Sequence, residues 1–257
     1  MKNLSKPCFL LFLIFIGCGT VHRDQLVHKV LIYEKSNWDG SNKGKIAVYR
    51  EKPDQLESFK WHDGNQHATI VRAKLDEHNH TVKHFDVYRM TQQENENLAA
   101  VLHVSEDKTI SVQLGDHRQD YPYPPSQWHS YDFDFASLGY AFPWLKKEDQ
   151  PIIFNVLDLD LNESPPKLKD FGVVKMLFLQ EEDRGARKLL KYDIDGPGLD
   201  HRGGTIWFDK TDGFLVSFEI EKPDEPGYDS GKLVLKEILQ MDTGEWRDFK
   251  KKKLRPN

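Results

Sequence analysis

Cysteine is almost absent: the 257 residues hold only Cys8 and Cys18. The body of the chain therefore has no internal disulfide, and its fold must rest on core burial. Phosphate-cradling glycine loops, Rossmann glycine runs, Cys-x-x-Cys and His-Glu-x-x-His are missing as well. So is the Gly-x-Ser-x-Gly elbow of serine hydrolases. No apolar run reaches the ~20 residues of a membrane span. The formal net charge is −5, which argues against a general nucleic-acid binder. These absences leave no legible reaction and no expected cofactor.

What is present begins with the leader. Lys2 and Lys6 supply a positive start, and Cys8 to Ile16 form a short apolar middle. Phe15-Ile16-Gly17-Cys18 follows, and it resembles the bacterial lipoprotein signal, with Phe15 where leucine is usual. The resemblance implies cleavage after residue 17 and a lipid on the Cys18 thiol. The alternative is an ordinary secretory signal with a chance cysteine. Gly19 stands where enteric lipoproteins carry an aspartate that resembles an inner-membrane retention mark, so the outer membrane, facing the periplasm, is the expected location. Residues 18–28 form a short tether, whose last ten residues reach about 33–36 Å at full extension.

The body alternates. Ile110, Val112 and Leu114 oppose Thr109, Ser111 and Gln113, and Phe214, Val216, Phe218 and Ile220 oppose Leu215, Ser217, Glu219 and Glu221. This period of two predicts antiparallel strands with one dry face. Further strands are expected at 30–35, 45–50, 56–62, 69–76, 82–90, 98–104, 152–157, 173–180, 189–194, 205–209 and 233–239. Asp39-Gly40, Asp63-Gly64, Asp195-Gly196 and Thr211-Asp212-Gly213 mark turns between them.

One segment departs from this pattern. Phe135, Leu138, Phe142 and Leu145 recur at steps of three, four and three, which predicts a helix over about 132–145. Asp132 or Asp134 would cap it, and Pro143 would kink or shorten it. Asp120-Tyr-Pro-Tyr-Pro-Pro125 reads as a stiff polyproline-like arm ahead of it. A lone apolar helix must bury its stripe on the dry side of a sheet. The expected class is mainly β (α+β): one strongly curved antiparallel half-barrel over 29–241, with a central helix in its concave face. Residues 242–257 read as a basic, solvated tail, with Lys250–Lys253 and Arg255 able to touch anionic headgroups.

Ile206-Trp207-Phe208-Asp209, a turn and Leu215–Ile220, preceded by the single helix, resemble the late motif of an uncharacterised envelope family with the fold of the periplasmic lipoprotein carriers. The resemblance covers roughly 130–240 well and 29–115 by strand pattern. It implies a half-barrel around a hydrophobic cavity and no catalytic residues. Phe135, Leu138, Phe142, Trp144 and Trp207 are then the expected cavity residues. The expected role is a non-catalytic binding or assembly module for a hydrophobic ligand or envelope partner.

Other clusters are weaker. His78, His80 and His84 have the spacing of a zinc site but interrupt two strand patterns, and so read as a solvated turn. Asp158, Asp160, Asn162 and Glu163 have a calcium-loop look without its glycine. No metal is expected at either. His129 with Asp132, Asp134, Ser130 and Ser137 would suit acid–base work in an envelope hydrolase, against a plainer reading of helix capping. A structural lipoprotein with a filled core is the third reading.

The leader makes one direct prediction. The mature N-terminal peptide should begin at Cys18 and carry acyl chains by mass spectrometry, and Cys18→Ser should abolish that mass.

Overall fold

In the computed structural model, residues 25–255 are described except 79, 94, 131–134, 147–149, 161–166 and 222–226. The leader, Cys18 and most of the tether lie outside the described residues. So do Asp132, Asp134, Lys147, Asn162 and Glu163.

The first strands are β1 (Lys29–Ser36), β2 (Gly44–Lys52), β3 (Gln55–Trp61), β4 (His67–Leu75), β5 (Val82–Thr91), β6 (Glu96–Val104), β7 (Thr109–Leu114) and β8 (His117–Pro122). After β9 (Trp128–Ser130) and helix α1 (Ala136–Leu145) come β10 (Ile152–Asp160), β11 (Lys167–Arg184), β12 (Arg187–Asp195), β13 (Gly204–Asp209), β14 (Leu215–Ile220) and β15 (Gly231–Gln240). Helix α2 (Thr243–Leu254) ends the described chain.

The strands form one 15-stranded sheet in the order β8-β7-β6-β5-β4-β3-β2-β1-β15-β14-β13-β12-β11-β10-β9. Two runs of hairpins are thus joined side by side by the β1–β15 pair, in which Val30 faces Leu239. The expected half-barrel with a helix in its concave face is what forms. One pair is not antiparallel: Trp128, His129 and Ser130 of β9 run parallel to Asn155, Val156 and Leu157 of β10. Parallel neighbours need a crossover, and α1 is that crossover. This is why the helix lies inside the curl.

The curl brings the two ends of the sheet toward each other. Tyr121 Oη on β8 accepts the Leu168 N–H of β11 at 3.0 Å. Val71, Phe85, Leu102 and Val112 from one run share a core with Leu157, Leu159 and Leu168 from the other. The polyproline-like arm is partly corrected here, because Asp120–Pro122 belong to β8 and pair with β7. Pro122 is tolerated because β8 is an edge strand.

α1 is apolar on every side, as a surrounded helix must be. Phe142 stacks on Phe208 at 3.8 Å, and Phe135 meets Phe218 edge-on at 5.2 Å. Tyr140 lies under the Arg50 guanidinium at 4.8 Å on another flank. The helix starts later than 132: Phe135 occupies the N-cap position with φ 59° and no side-chain cap, and the helix runs through Pro143 to Leu145. The Pro143 ring lies where a Cβ on Gly213 would stand, 2.4 Å away, and Gly213 holds φ +76°. The Asp212-Gly213 turn therefore needs its glycine for both shape and space.

The basic tail expected from 242 is corrected to helix α2. Asp242 and Glu245 form a reciprocal capping box, which satisfies orphan N–H groups at the start. Trp246, Phe249, Lys250, Lys253 and Leu254 then recur on one face. That face covers Val30, Ala47, Tyr49, Phe59, Trp61 and Ile70 on the convex side of the sheet. Strands β1–β4 are dry on both sides for this reason.

One buried carboxylate pins α2. Glu57 of β3 accepts the Trp246 indole N–H at 2.9 Å, the Arg72 Nε–H at 2.7 Å and the Lys250 ammonium. Burial pushes the Glu57 carboxyl up, but Lys250 and Arg72 outweigh it and hold the group below its usual range. Its stabilising contribution is therefore whole above the unfolded value near ~4.3 and is lost as pH falls through the lower folded value. Glu57→Ala leaves the buried Lys250 charge only Glu96, at 3.8 Å, and should cost about 3–5 kcal/mol in urea unfolding at pH 7. Lys250→Met leaves Arg72 on Glu57 and should cost less.

Candidate functional site

Among the described residues, the interior of the curl is largely filled. Phe135, Leu138 and Phe142 are at most 1% exposed and lie in the core. A void of about 40 Å³ remains between α1 and the sheet, against Leu31, Val48, Leu56, Gly139 and Leu215. That is room for a water or so, far below the roughly 300–1,000 Å³ of ligand pockets. None of the five expected cavity residues lines it.

Trp144 sits at the edge of the core, with its indole stacked on His80 at 4.5 Å. Trp207 points the other way. Its neighbours Ile206 and Phe208 face α1, so alternation turns Trp207 to the convex side. There its indole donates to Glu182 Oε2 at 3.0 Å, beneath Arg184 and Lys191.

The large opening lies elsewhere, at the end of the curl where β1, β3 and β5 finish. It has a volume of about 970 Å³ and is walled by β1–β6 and Tyr228. Its floor is a cross-strand row set by register: Ile46 faces Lys60, Lys60 faces Thr69, Thr69 faces Arg89, and Arg89 faces Asn97. These residues share the concave face by alternation. Lys60 lies four residues from inward Leu56, Thr69 two from Val71, and Arg89 two from Val87. Thr69 separates the two cations by two strand spacings, about 9–10 Å, so the row does not blow itself apart. Lys35, Lys45, His62 and His67 complete the polar wall, and Trp61, Leu98 and Tyr228 the apolar part. Among the described residues, no aspartate or glutamate lines it.

The sequence reading missed this mouth. Its signal was a cation at an inward position of a strand, Lys60 after Leu56 and Ser58, and Arg89 after Val87.

The remaining candidates separate in space. His129 Nδ1 lies 3.1 Å from Ser137 Oγ. Both residues are 0% exposed, and the imidazole meets Phe154 at 5.2 Å. Among the described residues the pair is closed off from solvent. Burial, with a smaller contribution from His80, holds the imidazole down to about 3, so it is neutral. His78 is exposed, His80 lies under Trp144, and His84 turns to Asp86 at 3.1 Å. Among the described residues, no three metal-ligating side chains converge. Asp158 accepts the N–H of Leu159 at 2.9 Å near the end of β10. The mouth, by contrast, is open and gathers Lys35, Lys45, Lys60 and Arg89 on its described wall.

No known family matches the chain, and no curated protein does. Among solved structures, the chain is similar to a beta-barrel-like protein of the domain of unknown function DUF1849 from Brucella abortus. The TM-score is 0.49 at 12% identity, covering 85% of this chain and 99% of that one.

The buried imidazole predicts a pH dependence. Unfolded, it takes up a proton near ~6.5, whereas the folded group refuses one until about 3. The unfolded state therefore binds more protons between these values, and stability falls as pH drops from ~6.5 toward 3. The loss should reach about 2 kcal/mol at pH 5. Urea unfolding at pH 7 and pH 5 should show a smaller loss for His129→Leu than for the parent.

Proposed function

We propose that this protein is a non-catalytic binding module of a bacterial cell envelope, held by a lipid on Cys18 at the outer membrane. Its ligand is an amphiphile with an anionic end, taken at the mouth of the half-barrel. The observation that carries this reading is the floor across β2–β6, which bears cations and, among the described residues, no carboxylate. A chain of net charge −5 gathers Lys35, Lys45, Lys60 and Arg89 around one opening. Such a concave cluster concentrates anions. Trp61, Tyr228 and Leu98 offer an apolar wall beside them. The apolar part of the ligand lies along this wall, because the interior void of about 40 Å³ has no room for it.

The filled interior also favours a second reading, a structural lipoprotein with no ligand. The hydrolase reading is disfavoured by the burial of His129 and Ser137.

Native mass spectrometry of the full-length protein purified from its membrane separates the two. The binding reading expects an extra mass of an anionic amphiphile on the parent and its loss in the double variant Lys60→Glu, Arg89→Glu. A parent with no such mass, and no change in tryptophan fluorescence on adding fatty acid, would leave the structural reading standing.

A further inference from the structure

Helix α2 and the mouth belong to one pole of the molecule. At its start, α2 lies by the far end of β2, where Trp246 stacks on Tyr49 at 5.3 Å. Further along, Phe249 meets Trp61 edge-on at 6.0 Å, and Lys253 Nζ lies 6.0 Å over the same indole. Leu254 is buried in the cluster that holds Trp61, Ala68 and Met90. Trp61 and Ala68 also line the mouth. The helix thus runs toward the opening, and its last turn brings Lys253 against Trp61, with Lys252 and Arg255 in the same turn. Lys253 meets the mouth lining there, beside Lys45, which faces Trp61 on the same convex side.

Two large apolar side chains stand in solvent at the same pole. Leu98, on the mouth wall, is 57% exposed, and Trp38, in the turn after β1, is 52% exposed. Trp38 is not frayed. Its N–H donates to Ser230 Oγ at 2.9 Å and its indole N–H to the Gly231 carbonyl at 3.2 Å. Asn37 Oδ1 beside it accepts the N–H groups of Asp229 and Ser230 at 3.0 and 3.2 Å. The fold therefore holds a tryptophan in place while leaving half of it in water. Described carboxylates near this pole include Asp39 and Asp229. Others are themselves paired: Asp63 with Lys45 at 2.6 Å, Glu34 with Lys43 at 3.6 Å and Glu96 with Arg72 at 2.8 Å.

We propose that this pole docks on an anionic lipid surface. Cations contribute about 1 kcal/mol each near such a surface, and a positioned tryptophan belongs at the level of the headgroups. A hydrophilic polyanion would use the charges but leave Trp38 and Leu98 without a role. Charge complementarity and the two exposed apolar groups together favour the bilayer. The docking surface goes beyond the ligand proposed for the mouth, because α2's last turn and Trp38 lie outside the mouth lining.

The test is flotation of the full chain carrying Cys18→Ser with vesicles of phosphatidylcholine, alone or with phosphatidylglycerol. Binding should require phosphatidylglycerol and weaken as salt is raised, since charges are screened beyond about 10 Å at 0.1 M. The double variant Lys252→Gln, Arg255→Gln should bind roughly 25-fold more weakly. Trp38→Ser should weaken binding while keeping the salt dependence. Both variants should keep the far-ultraviolet dichroism of the parent and any co-purifying amphiphile, which separates loss of docking from loss of the mouth's ligand. Equal binding to both vesicle types would overturn the proposal. So would folded variants that bind like the parent, or a preference for a soluble sulfated polysaccharide over the vesicles.

Discussion

A helix that is apolar on every side has to be surrounded, and most of this architecture follows from surrounding α1. Ten residues carrying Leu138, Tyr140, Phe142 and Trp144 present no face fit for water. Each large side chain fully buried there contributes about 1.5–3 kcal/mol. A flat sheet would cover one flank only. The chain instead curls two runs of hairpins around the helix until Val112 of β7 and Leu157 of β10 share one core. The parallel β9–β10 pair sets the helix inside the curl, since the crossover between those strands is the helix itself.

The convex face raises the opposite problem. Strands β1–β4 carry Val30, Ala47, Tyr49, Phe59 and Ile70 outward as well as Leu31, Ile46, Val48 and Val71 inward. Left bare, that outer patch would be an exposed apolar surface of the kind monomers avoid. Helix α2 covers it, and Glu57 orients the helix by drawing an indole N–H, a guanidinium and an ammonium to one carboxylate. Strands β3 and β4, with neighbouring β5, turn polar toward the mouth, where Lys60, Thr69 and Arg89 replace the inward apolar residues. Core and candidate site are therefore two ends of the same strands. The switch from one to the other takes one or two alternating steps along each strand.

The parts legible in advance were those that depend on near neighbours. Alternation at 109–114 and 214–220 and the Asp-Gly turns found the strands, and the three-four-three spacing found α1. The tail misled because Lys250–Lys253 mask an amphipathic face. Its signs were the Asp242–Glu245 capping box and the spacing of Trp246, Phe249 and Leu254. Trp207 was placed on the wrong side because its aromatic bulk outweighed its position between inward Ile206 and Phe208. Phe135, Leu138 and Phe142 were rightly read as apolar, but bulk alone does not say whether it lines a space or fills one.

By itself, then, the sequence determined which segments are extended, which is helical, and that one face of each strand is dry. Those properties depend on residues within about a turn of one another. Only the tertiary structure decided that the interior is packed, that α2 lies on the outside, and that Lys60, Arg89 and the end of α2 gather at one pole. These outcomes depend on register between strands and on the curvature of the whole sheet, and the pattern of a single strand contains neither.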